Sequence, residues 1–201
     1  MEKVDGRLVR GDQTRRAVLR RAVDIASVDG LEGLSIGRLA TELGISKSGL
    51  FAHFGSKEEL QLATIRAARR IYVDAVVAPA LDVAPGLERV RALSERWLEY
   101  SQQRVFPGGC FFSKVSYEYG ARGGAVHEAM AALHLEWMDL LETSVREAVE
   151  LGQLDADPAQ LAFDLNAYYE SANLASILHG QESAYVHARQ AIRTRLESAG
   201  A

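Results

Sequence analysis

Ser35, Ser46 and Ser56 each stand directly before a run of helically spaced apolar residues. A serine hydroxyl in that place accepts one of the unpaired N–H groups at a helix start. Among and beside them lie the donors Arg38, Lys47, Ser48, His53 and Lys57, with Gly49 and Ala52 small enough to let a backbone come close to another surface. Donors, small residues and helix starts in one segment suit hydrogen bonding to phosphate oxygens and base edges. Bond-making chemistry needs other groups, and the chain has no Gly-rich phosphate loop, no Gly-x-Ser-x-Gly and no His-Glu-x-x-His. His53, His127, His134, His179 and His187 show no metal-ligand spacing with carboxylates. Neither an enzyme nor a metal site is expected, and no cofactor is implied.

The elements that position these donors are short. Helices are expected over 36–43 and 47–54, each too short to stand alone in water. Leu34 with Leu39, and Ile45 with Leu50, occupy the two positions of a hydrophobic staple, and Glu59 three residues after Ser56 completes a capping box. Gly44 allows a tight turn between the two helices. Leu39, Ala40, Leu43, Ile45, Leu50 and Phe54 would share a core with a first helix over 13–28, whose face is Val18, Leu19, Ala22, Ile25 and Ala26. The result is a helix-turn-helix with Lys47, Ser48, Ala52 and His53 on its open side. Spacing alone describes a surface helical hairpin without a partner equally well.

The segment Leu43 to Leu60 resembles the DNA-binding domain of the TetR family of bacterial regulators, with Gly44, Ser46, Leu50, His53, Phe54, Ser56 and Lys57 at the family's motif positions. The resemblance implies that Lys47, Ser48 and Gly49 face bases from the start of a recognition helix, and that His53 and Lys57 contact phosphates. Ser35, Arg38, Ser46 and Phe51 complete the expected DNA-binding set. Two departures stand out. Phe51 replaces the family's usual tyrosine and removes a hydroxyl, and Gly37 stands where relatives often carry a longer polar or basic side chain, with Arg38 beside it as a substitute. Arg15, Arg16 and Arg20 either flank the DNA backbone or form a solvated basic face.

The remaining chain reads as more helices, giving an all-α fold of about nine: an N-terminal helix-turn-helix domain over 1–56 and an effector-binding and dimerisation domain over 57–201. Helices are expected over 57–78, 86–104, 110–117, 124–151, 158–178 and 184–197. The 201 residues are 48% hydrophobic with net charge −4, and the basic excess gathers at the start, where residues 1–23 hold 7 Lys and Arg against 3 Asp and Glu. A charged N-terminus without an apolar stretch and the lack of long apolar runs point to a cytoplasmic protein with no membrane partner.

The family's architecture implies a small-molecule effector, and Trp97, Tyr100, Cys110, Phe111, Tyr117, His134, Trp137, Tyr168, Tyr169 and Asn173 are candidates for lining its pocket. Cys110, the single cysteine, is a buried structural residue or a sensor. A homodimer is expected through the eighth and ninth helices, using Leu161, Leu165, Tyr168, Ala172 and Ala175 with Tyr185, Ala188, Ile192 and Leu196, the alternative being that these stripes pack inward on the seventh helix. Such a dimer would bind a pseudo-palindromic double-stranded operator as a repressor released by its effector. The alternative is a ligand-independent, chromosome-organising DNA-binding factor of the same fold.

Overall fold

Helix starts and stops follow the caps written in the sequence. The computed structural model describes residues 6–200, with side chains from residue 13 onward. The first part of the charged N-terminal tail, residues 1–5, lies outside the described residues. The helices are α1 (Gly6–Asp29), α2 (Ile36–Leu43), α3 (Lys47–His53), α4 (Lys57–Tyr72), α5 (Leu87–Gln102), α6 (Phe111–Tyr119), α7 (Ala125–Glu150), α8 (Pro158–His179) and α9 (Ser183–Ser198). From Tyr72, α4 continues through a π-helical segment, Val73–Val77, into a last turn, Ala78–Leu81. The only extended pairing among the described residues is an isolated bridge between Leu154 and Gly200.

Ser35 accepts from the Arg38 N–H and Ser46 from the Gly49 N–H, each at 3.1 Å. Gly44 closes α2 in the left-handed region at φ 64°, which a side chain would strain. Ser56 accepts from the Glu59 N–H at 3.0 Å, but the Glu59 carboxylate takes the N–H of Gly55 at 2.9 Å. Asp157 caps α8, whose first residue is Pro158, and Gly180 ends it at φ 62°. The first helix begins seven residues before its expected start.

The described chain divides into two compact units. The first contains residues 6–69 and 106–130, and so joins α1, α2, α3 and most of α4 to α6 and the beginning of α7. Its core is built from Val18, Ala22, Ile25, Leu31, Leu34, Leu39, Leu50, Phe54 and Leu60, all buried. The second contains residues 70–105 and 131–201, with Val90, Leu93, Leu98, Leu141, Val145, Leu161 and Leu165 buried.

In the second unit the expected dimer stripe is core. Leu161, Leu165 and Ala172 on α8, and Tyr185, Ala188, Ile192 and Leu196 on α9, are buried within one chain, where α5, α8 and α9 pack together. Exposed instead are Phe163, Leu174, Ile177 and Leu178 on α8 and Val186 on α9, Phe163 at 64% and Leu178 at 65%. Because α8 carries apolar residues on all sides, periodicity could not say which face turns outward. No helix among the described residues is long and apolar enough to cross a membrane.

Candidate functional site

The capped starts of α2 and α3 hold a small exposed surface in the first unit. Lys47, Ser48, Gly49 and Ala52 are exposed along α3, while Leu50 and Phe54 anchor it to the core. The Ser48 hydroxyl leans toward Ser46 Oγ at 3.3 Å. Phe51 is 54% exposed, so an aromatic ring without a hydroxyl stands on the open face. The Lys47 side chain passes close to Gly37: a Cβ there would lie 3.6 Å from Lys47 Cε and 3.7 Å from Nζ, ordinary contact distances. The lysine of α3 therefore packs along the start of α2.

Arg38 is drawn away from substitution for a base reader. Its guanidinium donates to Asp29 Oδ2 at 2.6 Å and to Glu42 Oε1 at 3.0 Å, and Glu42 also receives Arg21. These partners raise the Arg38 pKa above its ordinary value, Glu42 first and Asp29 next, and Arg38 followed by Arg21 lowers that of Glu42. Arg15 also works internally: its Nη1 donates to the His53 carbonyl at 2.6 Å and its guanidinium lies 4.6 Å from the Phe54 ring centre. This caps the end of α3, where carbonyls lack helical partners. His53 itself is half-buried beside Phe54.

Lys57 stands at the start of α4 and donates from Nζ to Glu32 Oε2 at 2.6 Å. Glu32 Oε1 accepts from the Tyr119 hydroxyl at 2.9 Å and from Arg122 at 3.1 Å. The Lys57 bond first, and then the Tyr119 bond, hold the Glu32 carboxyl below its ordinary 4.5. Burial, followed by the Glu32 bond, pushes Tyr119 up to about 12. Next to it, Glu118 accepts the N–H groups of Leu31 at 2.7 Å and Glu32 at 2.8 Å. Gly30 has φ 79°, and a Cβ there would come within 2.4 Å of Glu118 Oε2. Gln61 adds bonds to the Leu31 carbonyl at 3.1 Å and the Tyr119 hydroxyl at 2.9 Å. The end of α6 is therefore locked to the turn that leads into α2. Sequence reading missed Glu32, Glu118 and Tyr119, because no local spacing links residues so far apart.

The family described as "Bacterial regulatory proteins, tetR family" matches residues 18–64, and the one described as "Tetracyclin repressor-like, C-terminal domain" matches residues 86–192, over half of the chain. The chain belongs to the TetR family. It is a DNA-binding transcriptional regulator of that family, which is not enzymatic. No curated protein matches it in sequence. Among solved structures, a TetR transcriptional regulator from Chloroflexus aurantiacus is 23% identical with a TM-score of 0.87, over 95% of this chain and 98% of that one. AibR, solved with isovaleryl coenzyme A and operator DNA, is 20% identical with a TM-score of 0.71, over 92% and 97%. A Saccharomonospora viridis protein solved with choline is 20% identical with a TM-score of 0.75, over 92% and 96%.

The residues expected to line a pocket in this TetR regulator are distributed over both compact units. Cys110, Phe111 and Tyr117 belong to the first. Cys110 is buried just before α6, Phe111 is fully buried against Phe106 and Phe112, and Tyr117 is 74% exposed. The other residues belong to the second unit, where His134 is exposed and Tyr168 half-buried. Asn173 joins a buried polar network: its Oδ1 accepts from the Ser101 hydroxyl at 3.0 Å, and Ser101 Oγ lies 2.9 Å from the Tyr185 hydroxyl. Arg104, in the left-handed region at φ 53°, bonds the Tyr185 hydroxyl and Ser176 Oγ.

Trp97, Tyr100, Trp137 and Tyr169 come together, and Tyr72 joins them. Trp137 Nε1 donates to Asn166 Oδ1 at 3.0 Å, and the Tyr169 hydroxyl lies 2.8 Å from Ser94 Oγ. Tyr72 was missed although it continues the buried stripe Ile65, Ala68, Tyr72 and Val76 along α4.

Proposed function

We propose that this TetR-family chain is a cytoplasmic, homodimeric repressor that holds a pseudo-palindromic operator through α3 and leaves it when a small molecule binds. The observation that carries this reading is the capped α2–α3 pair, whose exposed residues Lys47, Ser48, Gly49, Phe51 and Ala52 surround a buried anchor, Leu50. Small and donor side chains at the start of a helix fit major-groove readout, with Lys57 and His53 on flanking phosphates. Ser35 and Ser46 serve this site as caps, and Arg38 as a brace for α2. Residues 1–56 carry DNA contact in this reading, and 57–201 carry effector response and dimerisation.

Pairing of two heads rests on the outward apolar face of α8 and α9, centred on Phe163, Leu174, Leu178 and Val186. An isologous contact through that face leaves the inner stripes in their own core. The effector is assigned to the second unit, where Trp97, Tyr100, Trp137 and Tyr169 gather, and the solved complexes of AibR and of the Saccharomonospora viridis protein with small molecules support a ligand role. An effector lowers operator affinity only through tighter binding to the DNA-incompetent arrangement. Within the first unit, the bonds of Glu118 and Tyr119 tie α6 to the turn before α2.

Titrating metabolites against the protein–operator complex tests the proposal. A coupling of about 1–3 kcal/mol predicts roughly 5- to 150-fold weaker operator binding, with the same factor on ligand affinity when DNA is bound. A ligand that saturates the second unit and leaves operator affinity unchanged sinks the release mechanism.

A further inference from the structure

Seven residues make α3, and a helix so short is held in place by its surroundings. Ser46 caps its start, and Leu50, fully buried, anchors its middle. Its end lacks the device that closes α2 and α8. Those helices stop at glycines in the left-handed region, whereas α3 stops at Phe54 with extended backbone, φ −141°. The N–H that follows, that of Gly55, is given to Glu59 Oε2 at 2.9 Å.

A side chain from 38 positions earlier supplies what is missing, for Arg15 on α1 donates from Nη1 to the His53 carbonyl at 2.6 Å. The same guanidinium lies 4.6 Å from the centre of the Phe54 ring, within the ~6 Å reach of cation–π attraction. Phe54 is fully buried, so the ring that receives Arg15 is itself fixed. A positive charge at a helix C-terminus also meets the negative end of the helix dipole. A planar guanidinium can lie on a ring and bond a carbonyl at once, which an ammonium does less well.

We infer that Arg15 is a positioning residue for DNA recognition: it fixes the last turn of α3, and with it the place where His53 meets the duplex, without touching DNA itself. The inference rests on the reading of α3 as the DNA-contacting helix and gives a task to a residue outside the helix-turn-helix. His53 carries both the carbonyl that Arg15 holds and the imidazole directed to a phosphate. Pinning the one fixes the origin of the other, and a hydrogen bond weakens steeply when its angle or length is lost.

The test is a double-mutant cycle read by fluorescence anisotropy on two duplexes, one selected by the natural chain from a randomised pool and one of scrambled sequence. Arg15→Met keeps the apolar stem, and circular dichroism checks its fold. It should weaken binding to the selected duplex about tenfold. Its slope against salt should stay that of the natural chain, because no phosphate contact is lost. His53→Ala should cost several-fold in the natural chain and next to nothing in Arg15→Met, where the last turn is no longer fastened. Lys57→Ala, on another helix, should cost the same in both backgrounds. Arg15→Lys keeps a charge at the end of α3 and should recover only part of the affinity, and the cycle is run on it should Arg15→Met not fold. A salt slope lower by about one unit in the Arg15 variants makes Arg15 a phosphate contact and overturns the inference. So do losses from the Arg15 and His53 variants that simply multiply, and a His53→Ala change that costs nothing in the natural chain. These outcomes leave operator selection by the natural chain intact, whereas a natural chain that selects no sequence removes the operator reading itself and the inference with it.

Discussion

Lys57 Nζ and Glu32 Oε2 are 2.6 Å apart, so the lysine expected to meet a phosphate is already paired with a carboxylate of its own chain. Both side chains are about half exposed, and such pairs contribute little to stability. A DNA phosphate can therefore compete with Glu32 for the ammonium. Lys57→Ala should weaken binding to every duplex alike and lower the salt dependence by about one unit. Glu32→Gln should act in the opposite direction and tighten binding a few-fold. Affinities measured across a salt series check both, and an unchanged slope for Lys57→Ala removes the phosphate assignment.

Lys47 should behave differently, because it lies across Gly37 at the exposed start of α3. If it reads a base, Lys47→Ala costs about 1–3 kcal/mol on the operator and much less on an unrelated duplex. Fluorescence anisotropy with the two duplexes decides. Equal losses on both would make Lys47 a second phosphate contact.

The outward face of α8 predicts a separation of assembly from folding. Phe163→Glu places a charge on a side chain that is 64% exposed in one chain, so helical content should persist while the dimer dissociates. Leu161→Glu, fully buried by comparison, should unfold the domain. Light scattering at micromolar concentration is the check, and a Phe163→Glu protein that remains dimeric would place the interface elsewhere.

Glu118 satisfies two backbone donors at the turn before α2, the N–H groups of Leu31 and Glu32. Glu118→Ala leaves both without this acceptor and should cost about 1–3 kcal/mol. Denaturant unfolding measures it. A protein as stable as the natural chain would show that water replaces the carboxylate fully.

Acid should act on the same locality through Glu32, whose carboxyl is held below its ordinary 4.5 by Lys57 and then Tyr119. A depressed carboxyl contributes stability that is fully present above its unfolded value and is lost as pH falls through the lowered one. The difference in melting temperature between the natural chain and Glu32→Gln should therefore be present at neutral pH and shrink only below 4.5. A difference that persists deep in the acid range would mean that the charge of Glu32 is not what matters.

Much of the fold was legible because helix ends are local. Ser35, Ser46 and Asp157 each bond an N–H three residues on, and the glycines at 44 and 180 end their helices in the left-handed region. The open side of α3 could be read for the same reason, since Leu50 and Phe54 mark its buried side. What escaped was set by tertiary contact. Arg15 could have faced a phosphate, but it caps the His53 carbonyl. On α8 every side is apolar, so the strongest stripe was assigned to a partner when it belongs to the chain's own core. The partners of Glu118 lie 86 and 87 positions away, beyond any spacing rule.

The π-helical segment Val73–Val77 also bears on how this chain tolerates changes in length. Tyr72, Val76 and Ala80 are all buried at intervals of four, which an ordinary helix of 3.6 residues per turn would gradually rotate off one face. The wider turn absorbs one surplus residue and keeps them in phase. Removing a single residue between 73 and 77 would leave Tyr72 and Ala80 seven apart, the spacing of two regular turns, so a deletion that elsewhere would twist a helix out of register is accommodated here. This stretch is where lineages descended from such a chain have room to lose a residue without disturbing the packing on either side.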